Sequence, residues 1–193
     1  SFSLSVDPQY PAPYSQATLS AQSDSLDLAN ATMTVTVDGK SFYQGGVQPT
    51  PLTLGKTGSI TKVVMTVTSD GTKYTQMVSI QPQDVALIAE PVSSAPPLYP
   101  GKPSVPAEGG TRVVAVANFR TASGAPLDPS TLSYKWTVDD TQIESSSGIG
   151  RSAVIVASPL PYRARTVSVA ITSQNKSLVG GDALSLSPQE LEV

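Results

Sequence analysis

Apolar and polar residues alternate along most of this chain, in short runs closed by glycine, proline or aspartate. Phe2-Ser-Leu4-Ser-Val6 is the first such run, and Gln16-Ala-Thr18-Leu19-Ser20-Ala21 is the second. A period of two places successive side chains on opposite faces, the mark of a half-buried strand. Ala31-Thr-Met33-Thr-Val35-Thr-Val37 continues the series and ends at Asp38-Gly39. Ser41 to Gln44 and Pro51 to Leu54 read as shorter strands. Thr61–Thr68 and Lys73–Ile80 then face each other across Ser69-Asp70-Gly71-Thr72. Asp-Gly between two alternating runs is the strongest short-range hairpin signal a sequence carries. Residues 2–80 therefore predict seven strands.

The same text is then repeated. Leu132-Ser-Tyr134-Lys-Trp136-Thr-Val138-Asp139-Asp140 carries the one tryptophan of the chain. Setting Val35 against Trp136 aligns Thr36-Val37-Asp38 with Thr137-Val138-Asp139, and Asp27 with Asp128. Val85–Ala89 stands for the first strand, Arg112–Phe119 for the second, Ser152–Val156 for Leu52 to Leu54, and Val167–Ser173 for Val63–Ser69. Ala183–Leu186 closes the copy after a loop predicted to contain Gly180-Gly181. Self-similarity of this kind predicts two copies of one unit. The expected fold class is all-β: two tandem immunoglobulin-like β-sandwich domains of about seven strands each, at residues 1–83 and 84–193, with essentially no helix. Val35 and Trp136 are the expected core pins, each in the central strand of its domain.

Composition narrows the class of function. Charged residues make up only 14% of the chain, and the net charge of −3 is split almost evenly. Residues 1–83 hold four Lys against five Asp, and residues 84–193 hold eight Lys and Arg against ten Asp and Glu. No basic patch points to nucleic acid. No apolar run reaches the ~18–20 residues of a membrane span, so no membrane insertion by this segment is expected. Cysteine is absent, so disulfides give no hint of compartment. Histidine is absent too, which removes Ser-His and Cys-His nucleophile pairs and most zinc sites. No glycine-rich loop joins a strand to a helix, so no nucleotide site is indicated. No cofactor, no metal and no catalytic residue are expected.

The remaining candidates each have a plainer reading beside the functional one. Asp139-Asp140 with Glu144, and Asp24 with Asp27, offer carboxylate oxygens without the dense spacing of a calcium loop, and read as solvated loop groups. Asn30-Ala-Thr32 and Asn175-Lys-Ser177 fit the glycosylation pattern. Tyr10, Tyr14 and Tyr99 lie in proline-rich connections, where the expected role is to fold back over the end of a sandwich and seal it. Phe42-Tyr43 is the one adjacent aromatic pair, too little for a carbohydrate platform.

Val6-Asp-Pro8-Gln-Tyr10-Pro11-Ala-Pro13-Tyr14-Ser-Gln16-Ala-Thr18-Leu19 resembles the proline-rich opening of bacterial immunoglobulin-like and PKD-like modules. Tyr134-Lys-Trp136-Thr-Val138-Asp139 resembles their Tyr-x-Trp-x-Val central strand. The Gly-Asp-Gly turn of the PKD pattern is missing after the tryptophan strand, so the resemblance is to the immunoglobulin-like group. It implies a non-catalytic structural protein at the extracellular face of a cell, with an adhesive or spacer role. Ser79-Ile-Gln81-Pro82-Gln83-Asp-Val85, which links the copies, recurs as Ser185-Leu-Ser-Pro188-Gln189-Glu-Leu191. A subunit of a filament is therefore expected as one possibility, with Phe2, Leu4 and Val6 meeting Gln189, Leu191 and Val193 of another copy, head to tail or by strand complementation. The partners would be copies of itself or other surface proteins. The alternative is a two-domain adhesin or stalk fragment, or a carbohydrate- or protein-binding module.

Overall fold

A computed structural model of the chain describes residues 1–92, 110–157 and 163–187. The strands of the first copy are β1 (Ser3–Asp7), β2 (Gln16–Gln22), β3 (Thr32–Val37), β4 (Lys40–Gly46), β5 (Thr50–Thr53), β6 (Thr61–Ser69) and β7 (Thr72–Ile80). Those of the second are β8 (Asp84–Pro91), β9 (Thr111–Asn118), β10 (Ser133–Val138), β11 (Thr141–Gln142), β12 (Gly148–Ile149), β13 (Ala153–Val156), β14 (Arg165–Thr172) and β15 (Val179–Leu186). The protein is all-β, and among the described residues the only helical pieces are three single 3₁₀ turns.

The chain divides into two compact units: Ser1–Asp84 with Arg120–Pro126, and Val85–Phe119 with Leu127–Val193. In the first, a three-stranded sheet in the order β1-β2-β5 faces a four-stranded sheet in the order β4-β3-β6-β7. All the pairs in it are antiparallel. The second unit repeats this as β8-β9-β13 against β11-β10-β14-β15, with β12 also on β10. Each unit is a β-sandwich whose inner faces supply one core. Ala17, Leu19 and Leu52 meet Met33, Val35, Val63, Met65 and Val67 in the first. Val113, Ala115 and Val154 meet Tyr134, Trp136, Val167, Val169 and Ile171 in the second. The fourth strand pairs with the third on the larger sheet. In the constant-type immunoglobulin arrangement it belongs to the opposite sheet.

The central strands occupy matching places. Val35 pairs with Met65, and Trp136 pairs with Val169 in the corresponding ladder. A 3₁₀ turn precedes each central strand, Leu28–Asn30 capped at Asp27 and Pro129–Thr131 capped at Asp128. The Asp128 carboxylate accepts from the Ser130 amide at 2.9 Å, whereas Asp27 makes no such cap bond. The second copy departs from the first after its central strand. Where β4 runs unbroken from Lys40 to Gly46, β11 and β12 are separated by the turn Glu144–Ser146. There the Trp136 amide donates to the Ser147 hydroxyl at 3.0 Å, so a side chain replaces a ladder carbonyl. A second departure from expectation lies at Gly180-Gly181. Both are inside β15, opposite Ile171 and Ala170. The loop before β15 is instead closed by Asn175, whose side-chain oxygen accepts from Ser173 and Ser177.

Candidate functional site

The nominated N-terminal residues belong to the first sandwich itself. Leu4 and Val6 pair with Ala21 and Leu19 in the β1–β2 ladder, which runs through five residue pairs. Phe2 is 4% exposed and sits in the core, with Leu4 and Val6 packed against that core. Its carbonyl accepts from the Gln76 side chain at 3.1 Å, which fastens the strand to β7 as well. Gln189, Leu191 and Val193 lie outside the described residues, so the structure does not bring the two ends of the nominated contact together. Trp136 and Val35 are fully buried. The Trp136 indole N–H donates to the Arg151 carbonyl at 2.8 Å, which satisfies the one polar atom of the ring.

The carboxylates at the ends of the central strands hold structure. Asp38 and Asp139 are the residues that the repeat aligns, and each has a left-handed backbone, φ 51° and 48°. The Asp38 amide donates to the Lys62 carbonyl at 2.8 Å, and its carboxylate accepts from the Lys62 amide at 2.9 Å. Asp139 makes the same pair of bonds with Thr166, at 2.9 and 3.0 Å. Each aspartate thereby clamps the end of the central strand to the start of the next one in the sheet. Asp139 also takes a charge-assisted bond from the Arg165 guanidinium at 3.0 Å. The Thr166 amide, then Arg165, hold its carboxyl below the ordinary aspartate range. This corrects the reading of Asp139 as a merely solvated loop group.

Among the described residues, two other groups are shifted from their ordinary ranges, each for a structural reason. The Ser130 amide and hydroxyl lower Asp128. Burial, and then the nearby Asp128 charge, raise Tyr134, whose hydroxyl donates to the Pro129 carbonyl at 3.0 Å. Asp27 accepts from the Asn30 side chain at 2.7 Å. Among the described residues, no three carboxylates come together in a way that could hold a metal ion. Nor is any helix among them long and apolar enough to cross a membrane.

The tyrosines divide. Tyr10 is half-buried, while Tyr14 is 73% exposed. Tyr14 has φ 60°, and its amide donates to the Gly55 carbonyl. That turn leaves the ring in solvent, so Tyr14 does not take the sealing role expected of it. Tyr99 lies outside the described residues. Phe42 is exposed, whereas the Tyr43 hydroxyl donates to the Gly46 carbonyl of its own strand.

The outward face of the smaller sheet differs between the copies, and sequence reasoning missed it. In the first unit it presents Ser3, Ser5, Thr18, Ser20 and Thr53. In the second it presents Ile88, Val114, Val116 and Ile155, with Arg112 opposite Ile155. Ile155 is 66% exposed, Ile88 51% and Val116 50%. Glu90 lies 3.8 Å from Arg112 on the same face. The signal was present in Val113-Val114-Ala115-Val116-Ala117 and Ala153-Val154-Ile155-Val156. These runs stay apolar where the first copy alternates, and a strand apolar on both sides is one covered on both faces.

No family model matches the chain, and no curated protein matches it. Solved structures do align along it. One is a structure of Clostridium thermocellum CbhA fibronectin(III)-like modules, 11% identical, covering 97% of this chain and 94% of that one at a TM-score of 0.36. Another is the apo structure of Bacteroides uniformis beta-glucuronidase 3, 11% identical, covering 96% of this chain but 25% of that one, at 0.33. A third is the Bacteroides ovatus mixed-linkage glucan utilization locus protein SGBP-B in complex with a mixed-linkage heptasaccharide. It is 10% identical and covers 96% and 70%, at 0.27.

Proposed function

We propose that this chain is a non-catalytic structural module of the extracellular cell surface, two sandwiches in tandem acting as a spacer. One observation carries the reading: the strand-end aspartates, the Asp128 cap and the polar atoms of Trp136 and Tyr134 are engaged in holding the two folds. Asp38, Asp139 and Asp128 fix strand ends and a cap. The Trp136 and Tyr134 polar atoms are bonded to backbone carbonyls. Gln83, almost completely buried, donates to the Arg120 carbonyl at 2.9 Å and accepts from its amide at 2.8 Å. A catalytic group is one held ready for a substrate; these are already committed. The placement of β1 supports a spacer over a strand donor, because releasing β1 would expose Phe2 and open a five-pair ladder.

Thermal unfolding of the full chain tests this reading. A ligand present at about 100 times its Kd adds about 2.7 kcal/mol of stability. In a domain of this size that shifts melting by about 10 °C or more. Neither calcium, a chelator nor a panel of oligosaccharides should move either transition. A shift of about 10 °C with a glycan would install the carbohydrate-binding reading in its place, and one with calcium would point to the Asp139-Asp140 turn.

A further inference from the structure

The apolar outer face of the β8-β9-β13 sheet has no role in the sandwich it belongs to. The core of that unit lies on the opposite side of the sheet, where Val85, Leu87, Val113, Ala115, Val154 and Val156 point. The fold does not require apolar residues outside, since the first unit builds the same face from serine and threonine. Ile88, Val114, Val116 and Ile155 thus form a contiguous apolar patch, the kind of surface that marks an interaction site.

We propose that this face is covered by the same face of a second copy of the chain, related by a two-fold axis. The charge pattern selects that occupant. The patch carries one cation and one anion side by side, Arg112 and Glu90, each about half exposed and 3.8 Å apart. Among the described residues the other charge on this side of the sheet is Asp84, at the far end of β8, so the face is close to neutral and a strongly acidic or basic partner would meet no strong complementary field. A two-fold copy brings Arg112 of one chain near Glu90 of the other, twice, so the face is complementary to itself. Sheets stack face to face about 10 Å apart, with apolar side chains interdigitating in the gap. Ile88 and Val114 would form the dry centre, and the two ion pairs the rim. The net charge of −3 per chain opposes this only weakly at physiological salt. A patch of one small sheet is below the size of permanent interfaces, so the dimer is reversible, with Kd on the order of 10–100 µM.

Sedimentation of the full chain from about 5 to about 500 µM, a range that brackets this Kd, tests the proposal. The chain should move from monomer to dimer across that range. Ile88→Lys and Val116→Lys should each raise Kd about tenfold or more, while Ser20→Lys, on the matching face of the first unit, leaves it unchanged. Arg112→Glu should weaken the dimer, and the double exchange Arg112→Glu with Glu90→Arg should restore it. Melting temperatures of the variants exclude loss of fold, and Ile88→Thr replaces any variant whose melting falls. A monomer throughout overturns the proposal, as does a dimer indifferent to the lysines or a double exchange that restores nothing. None of these outcomes touches the structural reading, whose test is ligand-induced stabilisation.

Discussion

Asp139 is a surface residue with three bonds to one carboxylate or its own amide, and its chemistry gives the second sandwich a pH response. Hydrogen bonds to the charged form lower the folded-state pKa. The unfolded chain then binds the proton more tightly, so this stabilisation is present at neutral pH and is lost as pH falls through the depressed value. Asp128 acts in the same direction. Tyr134 acts at the other end: its raised pKa makes its contribution full below the ordinary phenol range and lost as pH climbs above it. Asp139→Asn should therefore be less stable than the parent at pH 7 and converge with it in acid, which melting curves at a series of pH values would show. Gly58 is the other single residue on which much depends. It has φ +84°, and a Cβ there would lie 2.5 Å from the Thr121 carbonyl oxygen and 2.7 Å from that of Arg120. Gly58→Ala combines left-handed strain with a backbone clash and should cost about 2–4 kcal/mol in urea unfolding. Nothing local in Lys56-Thr57-Gly58-Ser59 announced this, because the clash comes from Arg120 and Thr121, far along the chain.

At the scale of elements, the strands of the first copy were legible because alternation and turn chemistry agree there. Asp70-Gly71 adopts φ 50° and 75°, the conformation that the β6–β7 hairpin requires, and Asp38-Gly39 does the same between β3 and β4. Gly71→Ala should cost about 1–2 kcal/mol without altering the register, measurable by denaturant unfolding. In the second copy, local signals and tertiary packing part company. Asp139 and Asp140 take φ 48° and 65° without a glycine, so the hairpin into β11 is harder to read. Gly180 and Gly181 carry loop chemistry in sequence but are paired in β15, where neighbouring β14 supplies the ladder. Gly180 is buried opposite Ile171, a place where a small residue leaves room for a large one. The apolar outer face was hidden for a related reason. Continuous apolar runs were counted as strands, and the side each residue faces emerges only from the ladder Ala153–Val114 and Ile155–Arg112.

For the molecule as a whole, the repeat was the most informative feature of the sequence, and the aligned aspartates explain it. Asp38 and Asp139 recur because the same strand junction must be closed twice, and Val35 and Trp136 because each central strand needs an apolar centre. No catalytic motif was legible in the sequence, so the proposed function rests on what Asp38, Asp128, Asp139, Tyr134 and Trp136 do in the two folds. The central claim is that two sandwiches stand side by side in the sequence, each built on its own central strand. Scanning calorimetry of the full chain, Trp136→Ala and Val35→Ala tests it most directly. Removing the buried indole should cost about 3–5 kcal/mol, and truncating the buried valine about 2–3 kcal/mol. At about 4–8 °C per kcal/mol, the account predicts two transitions, with Trp136→Ala lowering one by more than 10 °C and Val35→Ala lowering only the other. A single transition that both substitutions shift together would contradict it.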